Sequence, residues 1–530
     1  MFFDGPTGSG KSLIADMVAQ KMGVRALMCT ADRALQDQYV HDFAEVGART
    51  IKGRRNYTPQ ISSIWDKFEK KDIPVTCDDC NFKGDAGCSF CPEPDGCSYR
   101  MAKDSAKKAP LAVLNYSYLL NEANGPKPTF SEQSLIIADE CDVLESILLG
   151  IAEVNYSDRM RRELDLGQPH KLDDETGEAW IEWLTDIVAP ALKDELITTR
   201  AREAGIKKDR RINMLMNKID ETEYLIRTMS ETPDGDNVNW VLTGYNYSTG
   251  RKPKTGPMVF KPIRVGEYGD TIMWRHGRKF LLMSATIVSP DELADSLGYR
   301  GTYGVVTAPM PFEVERRKIY YIPVARLTRK TEEEATPKIA AAVVRLLDEW
   351  EGERAIVHTV SYKLTEVMKS AIMRGTDRPL FTYDGADEKE KVITEFENTP
   401  NAVLIGPSIG RGTDFKGDKA RINIVCKMPF ASLGDKQIKA RVYVEGGQRW
   451  YTTKAVRELV QACGRTTRNE SDWGITYILD ASVGGVLRDR RSLFPRWWRE
   501  ALDRTIKPSQ LLDSKPLPRP LISELGNTHA

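Results

Sequence analysis

A chain of 530 residues with 41% apolar and 29% charged side chains can bury several globular cores, and its composition excludes a disordered or fibrous protein. Its 76 basic and 76 acidic residues cancel, so a nucleic-acid partner would have to be met by local basic patches. There is no run of about 18 apolar residues and no basic stretch ahead of an apolar one at the N-terminus, so we expect no membrane association and a cytoplasmic location.

In chain order, Met1–Asp4 reads as a short strand leading into Gly5-Pro6-Thr7-Gly8-Ser9-Gly10-Lys11-Ser12, a G-x-x-x-x-G-K-S phosphate-binding loop. Its glycines let successive backbone N–H groups turn into an anion-sized nest, and the helical spacing from Ser12 adds a helix N-terminus to it. Lys11 is placed to reach the β- and γ-phosphates of a nucleoside triphosphate and Ser12 to hold Mg²⁺. Ala26–Thr30 reads as a strand and Ala34–Phe43 as a helix. Residues 76–104 are polar and hold five of the nine cysteines, as Cys77-x2-Cys80-x7-Cys88-x2-Cys91-x5-Cys97. Cys29, Cys141, Cys426 and Cys463 are scattered among apolar neighbours, a pattern that favours a reducing compartment and a metal site over disulfides. On spacing alone, paired C-x-x-C units favour zinc. Leu111–Leu114 and Leu135–Ala138 are buried-strand candidates, and Asp139-Glu140 follows the second. Carboxylates there can hold Mg²⁺ and orient an attacking water.

Residues 151–235 carry apolar stripes at helical spacing (Trp180, Trp183, Leu184, Ile187, Val188, Leu192, then Ile212, Leu215, Met216, Ile219, Ile226, Met229), which read as packing faces of a mainly helical insertion. Pro233–Asn237 is a loop. The strand pattern returns at Phe280–Met283 and again at Ala355–His358, Ala402–Ile405, Ile422–Val425 and Thr476–Leu479. Strands alternating with helices imply parallel α/β sheets, with ligand groups at strand C-terminal ends. Gln461-Ala462-Cys463-Gly464-Arg465-Thr466-Thr467-Arg468 places two arginines on one helix face, able to stabilise charge on a transferring phosphoryl group. The proline-spaced tail after Lys507 reads as extended, and Trp497-Trp498 as core.

In this order, the P-loop, Asp139-Glu140, Ser284-Ala285-Thr286 and the Q-x-x-G-R-x-x-R stretch resemble a superfamily 2 helicase. Thr30 with Leu35-Gln36-Asp37-Gln38, Asn115-Tyr116-Ser117-Tyr118-Leu119, Ser361-Tyr362, Gly412-Thr413-Asp414-Phe415-Lys416-Gly417-Asp418 and Lys427-Met428-Pro429-Phe430 narrow the resemblance to the XPD/DinG branch. The resemblance implies two RecA-like parallel-sheet domains. The first would comprise residues 1–75, 105–150 and 256–307, interrupted by a cysteine-rich insertion (76–104) and an arch-like helical one (151–255). The second would span 308–507, followed by a tail (508–530). It also implies MgATP hydrolysis by Lys11, Ser12, Asp139 and Glu140, completed by Asp414, Gln461, Arg465 and Arg468, with Ser284 and Thr286 coupling the site to DNA. The expected activity is a monomeric, ATP-dependent 5′-to-3′ helicase acting on single-stranded or forked DNA. A translocase that does not unwind, or a zinc-ribbon protein with an inactive motor, stands as the alternative.

For the cysteines the resemblance implies a 4Fe-4S cluster in place of zinc, held by Cys80, Cys88, Cys91 and Cys97 with Cys77 in reserve. Two positions depart from the family: Asp142 stands where motif II usually ends in His, and Arg411 where Glu usually precedes the motif V glycine. Family members also carry an upstream segment with an adenine-contacting glutamine. The chain begins after that segment, so a fragment, a misassigned start or a minimal variant is expected. Lys52-Gly53-Arg54-Arg55 with Tyr57, and Tyr99 with Arg100, mix cations and aromatics as single-strand sites do.

Overall fold

The computed structural model describes residues 1–513 and 517, apart from 67–69, 81–89, 94–95, 126, 203–205, 232–236, 245–255, 384, 408, 410–414, 416, 465–466 and 468–471. Its strands are, in order, β1 (Phe2–Asp4), β2 (Ala26–Thr30), β3 (Arg49–Thr50), β4 (Ser63–Asp66), β5 (Lys71–Pro74), β6 (Leu111–Asn115), β7 (Leu135–Ala138), β8 (Val154–Tyr156), β9 (Trp240–Thr243), β10 (Met258–Pro262), β11 (Phe280–Ser284), β12 (Val305–Thr307), β13 (Ile319–Ala325), β14 (Ala355–His358), β15 (Leu380–Phe381), β16 (Val403–Gly406), β17 (Ile422–Val425), β18 (Ile475–Asp480) and β19 (Leu502–Asp503). Two seven-stranded sheets dominate, ordered β12-β1-β11-β7-β2-β6-β3 and β15-β16-β14-β17-β18-β13-β19. Every neighbouring pair in both is parallel. Their central strands are continuous apolar runs because helices cover both faces. In β2, β7, β14, β16, β17 and β18 every residue is buried. This is the two-domain α/β architecture expected from the alternation of strand and helix.

The insertion after residue 151 is more than helical. Its long helices, Ala189–Ala201 and Ile206–Ser230, pack against a small antiparallel sheet of order β8-β10-β9. Tyr156, Trp180, Trp183 and Phe260 form one aromatic cluster between them. β10, which follows the expected boundary at residue 256, pairs within this small sheet. The Met258–Pro262 run pairs with β8 and β9, which lie next to no strand of the motor sheet. Within the tail read as extended, Pro508–Leu512 is a short helix whose Leu511 is buried in the second domain's core along with Leu517. Pro508 stands at the first helical turn, where its missing N–H costs nothing, and Gln510 accepts a hydrogen bond from the Lys507 N–H.

The two domains meet through a buried polar contact. The indole Nε1 of Trp450 donates to both carboxylate oxygens of Glu145 at 3.0 and 2.9 Å, and the Arg441 guanidinium lies 3.9 Å from the same carboxylate and over the Trp450 ring. Glu145 stands on the helix Leu144–Ala152 just after Asp139-Glu140, and Trp450 on the helix Gly447–Cys463 that ends in the Gln461 motif. Arg449–Glu292 (3.1 Å) also links the two domains, and Lys436–Asp173 (2.6 Å) ties the helical insertion to the second. Glu145, Arg441 and Trp450 are all below 9% exposure, so removing one partner strands charge away from water. Trp450→Phe keeps an aromatic ring, though a smaller one, and removes the donor. We expect it to lower stability by about 1–3 kcal/mol in thermal or urea unfolding, whereas Arg449→Lys at the more exposed rim should change it by less than about 1 kcal/mol.

Candidate active site and nucleic-acid groove

The first sheet brings the predicted groups together at one edge. β1 is in register with β11 so that Asp4 lies beside Ser284, and Gly5 N–H donates to the Ser284 carbonyl at 3.0 Å. Gly8 and Gly10 have φ of 83° and 72°, in the left-handed region that glycine tolerates. A Cβ on Gly8 would come within 2.4 Å of the Phe312 ring, so this position has no room for a side chain. The helix Lys11–Met22 starts at the loop, and Lys11 Nζ donates to the Gly5 carbonyl at 2.9 Å.

Asp139 follows β7 and is fixed from three sides. Its N–H donates to the Cys29 carbonyl (3.0 Å), its carbonyl accepts from Tyr116 Oη (2.6 Å), and its Oδ2 accepts from Tyr39 Oη (2.5 Å). Burial raises its pKa, with Tyr39 and Lys11 acting in the opposite direction. Its Oδ1 is buried without a hydrogen-bond partner. An orphaned carboxylate oxygen beside the Ser12 hydroxyl and Lys11 is the donor set that Mg²⁺ with a nucleotide takes in P-loop sites, so the residues fit the metal. Ser12 and Asp139 would hold it, and it would supply charge neutralisation at the phosphates. Glu140 has φ 52° and ψ 42°, a conformation that costs a non-glycine residue of order 1 kcal/mol and sets the direction of its side chain.

Asp142 answers the departure noted in the sequence. It accepts from Ser284 Oγ at 2.7 Å, and Ser284 in turn lies 3.3 Å from Thr286 Oγ1. Motif II is thereby tied to the Ser-Ala-Thr motif within the first domain.

The second domain supplies the opposite wall. A cavity of about 710 Å³ is lined by Pro6, Thr7, Lys11, Ser12, Asp139 and Glu140 on one side and by Val460, Gln461, Gly464 and Trp497 on the other. Gly5, Gly8, Ser9 and Gly10 shape the loop beneath it. Asp414, Arg465, Arg468, Arg411 and Cys88 lie outside the described residues. The paired tryptophans divide: Trp498 is fully buried core, as expected, whereas Trp497 faces the cavity. Tyr39, Tyr116 and Trp497 are site residues that sequence reasoning missed. Tyr39 directly follows the Leu35-Gln36-Asp37-Gln38 stretch, which is the only signal that could have found it.

A second, larger cavity of about 1150 Å³ adjoins the first and shares Ala31 and Asp32 with it. Arg33, Arg54, Arg100, Lys103 and Lys127 line it against two carboxylates, Asp32 and Glu122. Asp32 caps a helix through the Leu35 N–H, and Glu122 pairs with Lys103 at 2.9 Å. Tyr99 and Tyr118 share a 3.0 Å hydroxyl contact there, and the Arg54 guanidinium lies over the Tyr99 ring. Of the basic clusters singled out in the sequence, Arg54, Tyr99 and Arg100 come together in this groove. Arg55 pairs with Asp78 at 2.7 Å in another cleft.

Cys77, Cys80, Cys91 and Cys97 are buried together against Tyr57, Phe90 and Tyr99, and none forms a disulfide. Cys77, held in reserve by the sequence reading, is thus part of the grouped set. Its thiol pKa is raised by burial and by Cys97. Among the described residues, no three His, Cys, Asp or Glu side chains converge on the position of a single metal ion. Four thiols are nonetheless the donor set of a 4Fe-4S cluster or of an all-cysteine zinc site.

Asp4, beneath the P-loop, has its pKa pushed up to about 6, chiefly by burial, with Lys11 opposing. A carboxyl that holds its proton more tightly folded than unfolded stabilises the fold below pH ~4 and loses that contribution as pH rises through about 6. Asp4→Asn should therefore raise the melting temperature at pH 8, by the equivalent of about 1–3 kcal/mol, with the gain vanishing towards pH 4.

Comparison with known proteins gives a concordant picture. The helicase C-terminal domain model matches residues 343–501. The ATP-dependent DNA helicase YoaA of Escherichia coli (strain K12) is 22% identical over 560 residues, covering 89% of this chain and 87% of that protein. The ATP-dependent DNA helicase DinG of Photobacterium profundum is 24% identical over 56% of this chain and 44% of its own length. The fold is that of an XPD helicase structure (TM-score 0.61, 15% identity, 96% of this chain and 95% of that chain) and of Xpd4 from S. tokodaii (TM-score 0.56, 13% identity, 95% of each). With the P-loop, Asp139-Glu140, Ser284-Ala285-Thr286 and Gln461 set around one cleft between two parallel sheets, the chain shares the fold of the XPD structures and is similar in sequence to the DNA helicases YoaA and DinG.

Proposed function

We propose that this protein is an ATP-dependent DNA helicase that translocates 5′ to 3′ along single-stranded DNA at a fork. The observation that carries the reading is the pair of adjoining cavities, one built around a P-loop from both domains and one basic and aromatic, which share the Ala31–Asp32 wall. In the first, Lys11 and the loop N–H groups bind the triphosphate and Glu140 orients the attacking water. Gln461, with Arg465 and Arg468 from the same motif, closes the site from the second domain. In the second, Arg33, Arg54 and Arg100 bind phosphates while Tyr99 and Tyr118 offer faces for bases. Closure on nucleotide and reopening after hydrolysis change the grip of the two domains on the strand, and alternating grip steps it along. Asp142, Ser284 and Thr286 form the hydrogen-bonded link through which the first domain senses the site.

The buried thiols of Cys77, Cys80, Cys91 and Cys97 support a 4Fe-4S cluster as the group that fixes the cysteine-rich insertion beside the groove. Arg210 of the helical insertion braces it from outside, donating to Asp79 at 2.5 and 2.9 Å. Unwinding of 5′- and 3′-tailed forks, with metal analysis of the same sample, tests these assignments. We expect ATP-dependent unwinding of the 5′-tailed fork, with iron and acid-labile sulfide bound. Preference for the 3′-tailed fork would reverse the polarity. DNA-stimulated hydrolysis without unwinding would make the protein a translocase, and zinc without iron would remove the cluster.

A further inference from the structure

Tyr39 occupies a position that neither the P-loop nor motif II explains. It sits on the helix Arg33–Asp42, 7% exposed, with its ring stacked on Phe43 at 6.0 Å between centroids. Its hydroxyl lies 2.7 Å from Ser12 Oγ and 2.5 Å from Asp139 Oδ2. A phenol has one proton. Here that proton points to the carboxylate, so the Ser12 hydroxyl is the donor of the other bond. The result is a one-way chain, Ser12 to Tyr39 to Asp139, linking the two side chains that would hold the metal.

We propose that Tyr39 is a positioning residue whose hydroxyl competes with Mg²⁺ for the Ser12 and Asp139 side chains. The inference rests on the assignment of Ser12 and Asp139 as the metal-holding pair. Two consequences follow from the geometry. The free protein is stabilised by a satisfied Asp139 Oδ2, and Mg²⁺ binding is weakened because the phenol already engages both side chains. Ring stacking on Phe43 sets how readily the phenol swings away.

The test uses the full chain and a fluorescent ADP analogue, titrated with Mg²⁺ at equilibrium, with Mn²⁺ binding followed in parallel by electron paramagnetic resonance. Tyr39→Phe should lower the half-saturating Mg²⁺ concentration roughly tenfold, the equivalent of one to two hydrogen bonds. It should also lower the melting temperature of the nucleotide-free protein, with the gap closing in saturating Mg²⁺ and ADP. Phe43→Leu keeps the hydroxyl and loosens the ring, so it should shift the metal dependence the same way by a smaller factor. This variant carries the test if Tyr39→Phe does not fold. Unchanged or weakened Mg²⁺ dependence in the variants would overturn the inference, as would a melting gap that persists with Mg²⁺ and ADP. If the unmodified protein shows no Mg²⁺-dependent nucleotide binding at all, the assignment of the site itself fails.

Discussion

The active site depends on one constraint, the parallel register of the first sheet. Asp4 lies beside Ser284, Leu282 beside Ala138, Cys29 beside Ala138 and Thr30 beside Asn115. These pairings end β1, β11, β7, β2 and β6 in one row. The P-loop, Ser284, Asp139, Thr30 and Asn115 all leave the sheet from that row, although they are spread over about half of the sequence. A slip of one residue in any pairing would turn the strand's side chains to the opposite face and move its terminal group out of line. The buried apolar strands thus do more than hold the core together: they set the catalytic spacing.

From that row the structure builds outward in two directions. Towards the second domain, the helix after Asp139-Glu140 carries Glu145 into its contact with Trp450, on the helix that leads to Gln461. The two halves of the nucleotide site are therefore joined through the elements that bear them. Towards the cysteine-rich insertion, the turn after β2 forms a wall of both cavities, with Thr30 Oγ1 donating to the Asp32 carbonyl at 2.8 Å. The two cavities therefore share one short segment, Ala31–Asp32.

Much of this was legible because it is local. A phosphate-binding loop is a contiguous chemical device, and a carboxylate pair after an apolar strand is read from adjacency, so spacing picked out Lys11, Ser12, Asp139 and Glu140, which line one cavity. The strands at Ala355–His358 and Ile422–Val425 match their expected bounds because fully buried parallel strands are plain apolar runs. What escaped depends on distant approach. Tyr39 is a half-apolar residue on a helix until β7 brings Asp139 against it. Glu145 and Trp450, 305 positions apart, carry no mutual signal in sequence. The small sheet of the insertion was hidden because β8 and β10 are short and lie on either side of a long helical stretch. Cys77, held in reserve in the sequence reading, packs with Cys80, Cys91 and Cys97, while Cys88 lies outside the described residues.

The central claim is that one cleft, built from both domains, hydrolyses ATP in response to DNA in the adjoining groove. Steady-state ATP hydrolysis by the unmodified protein and by Lys11→Ala, each with and without single-stranded DNA, tests it most directly. The account predicts that single-stranded DNA raises hydrolysis well above the basal rate in the unmodified protein. It also predicts that Lys11→Ala, with an unchanged melting temperature, has no activity in either condition. Normal hydrolysis by Lys11→Ala, or a rate indifferent to DNA, would contradict it.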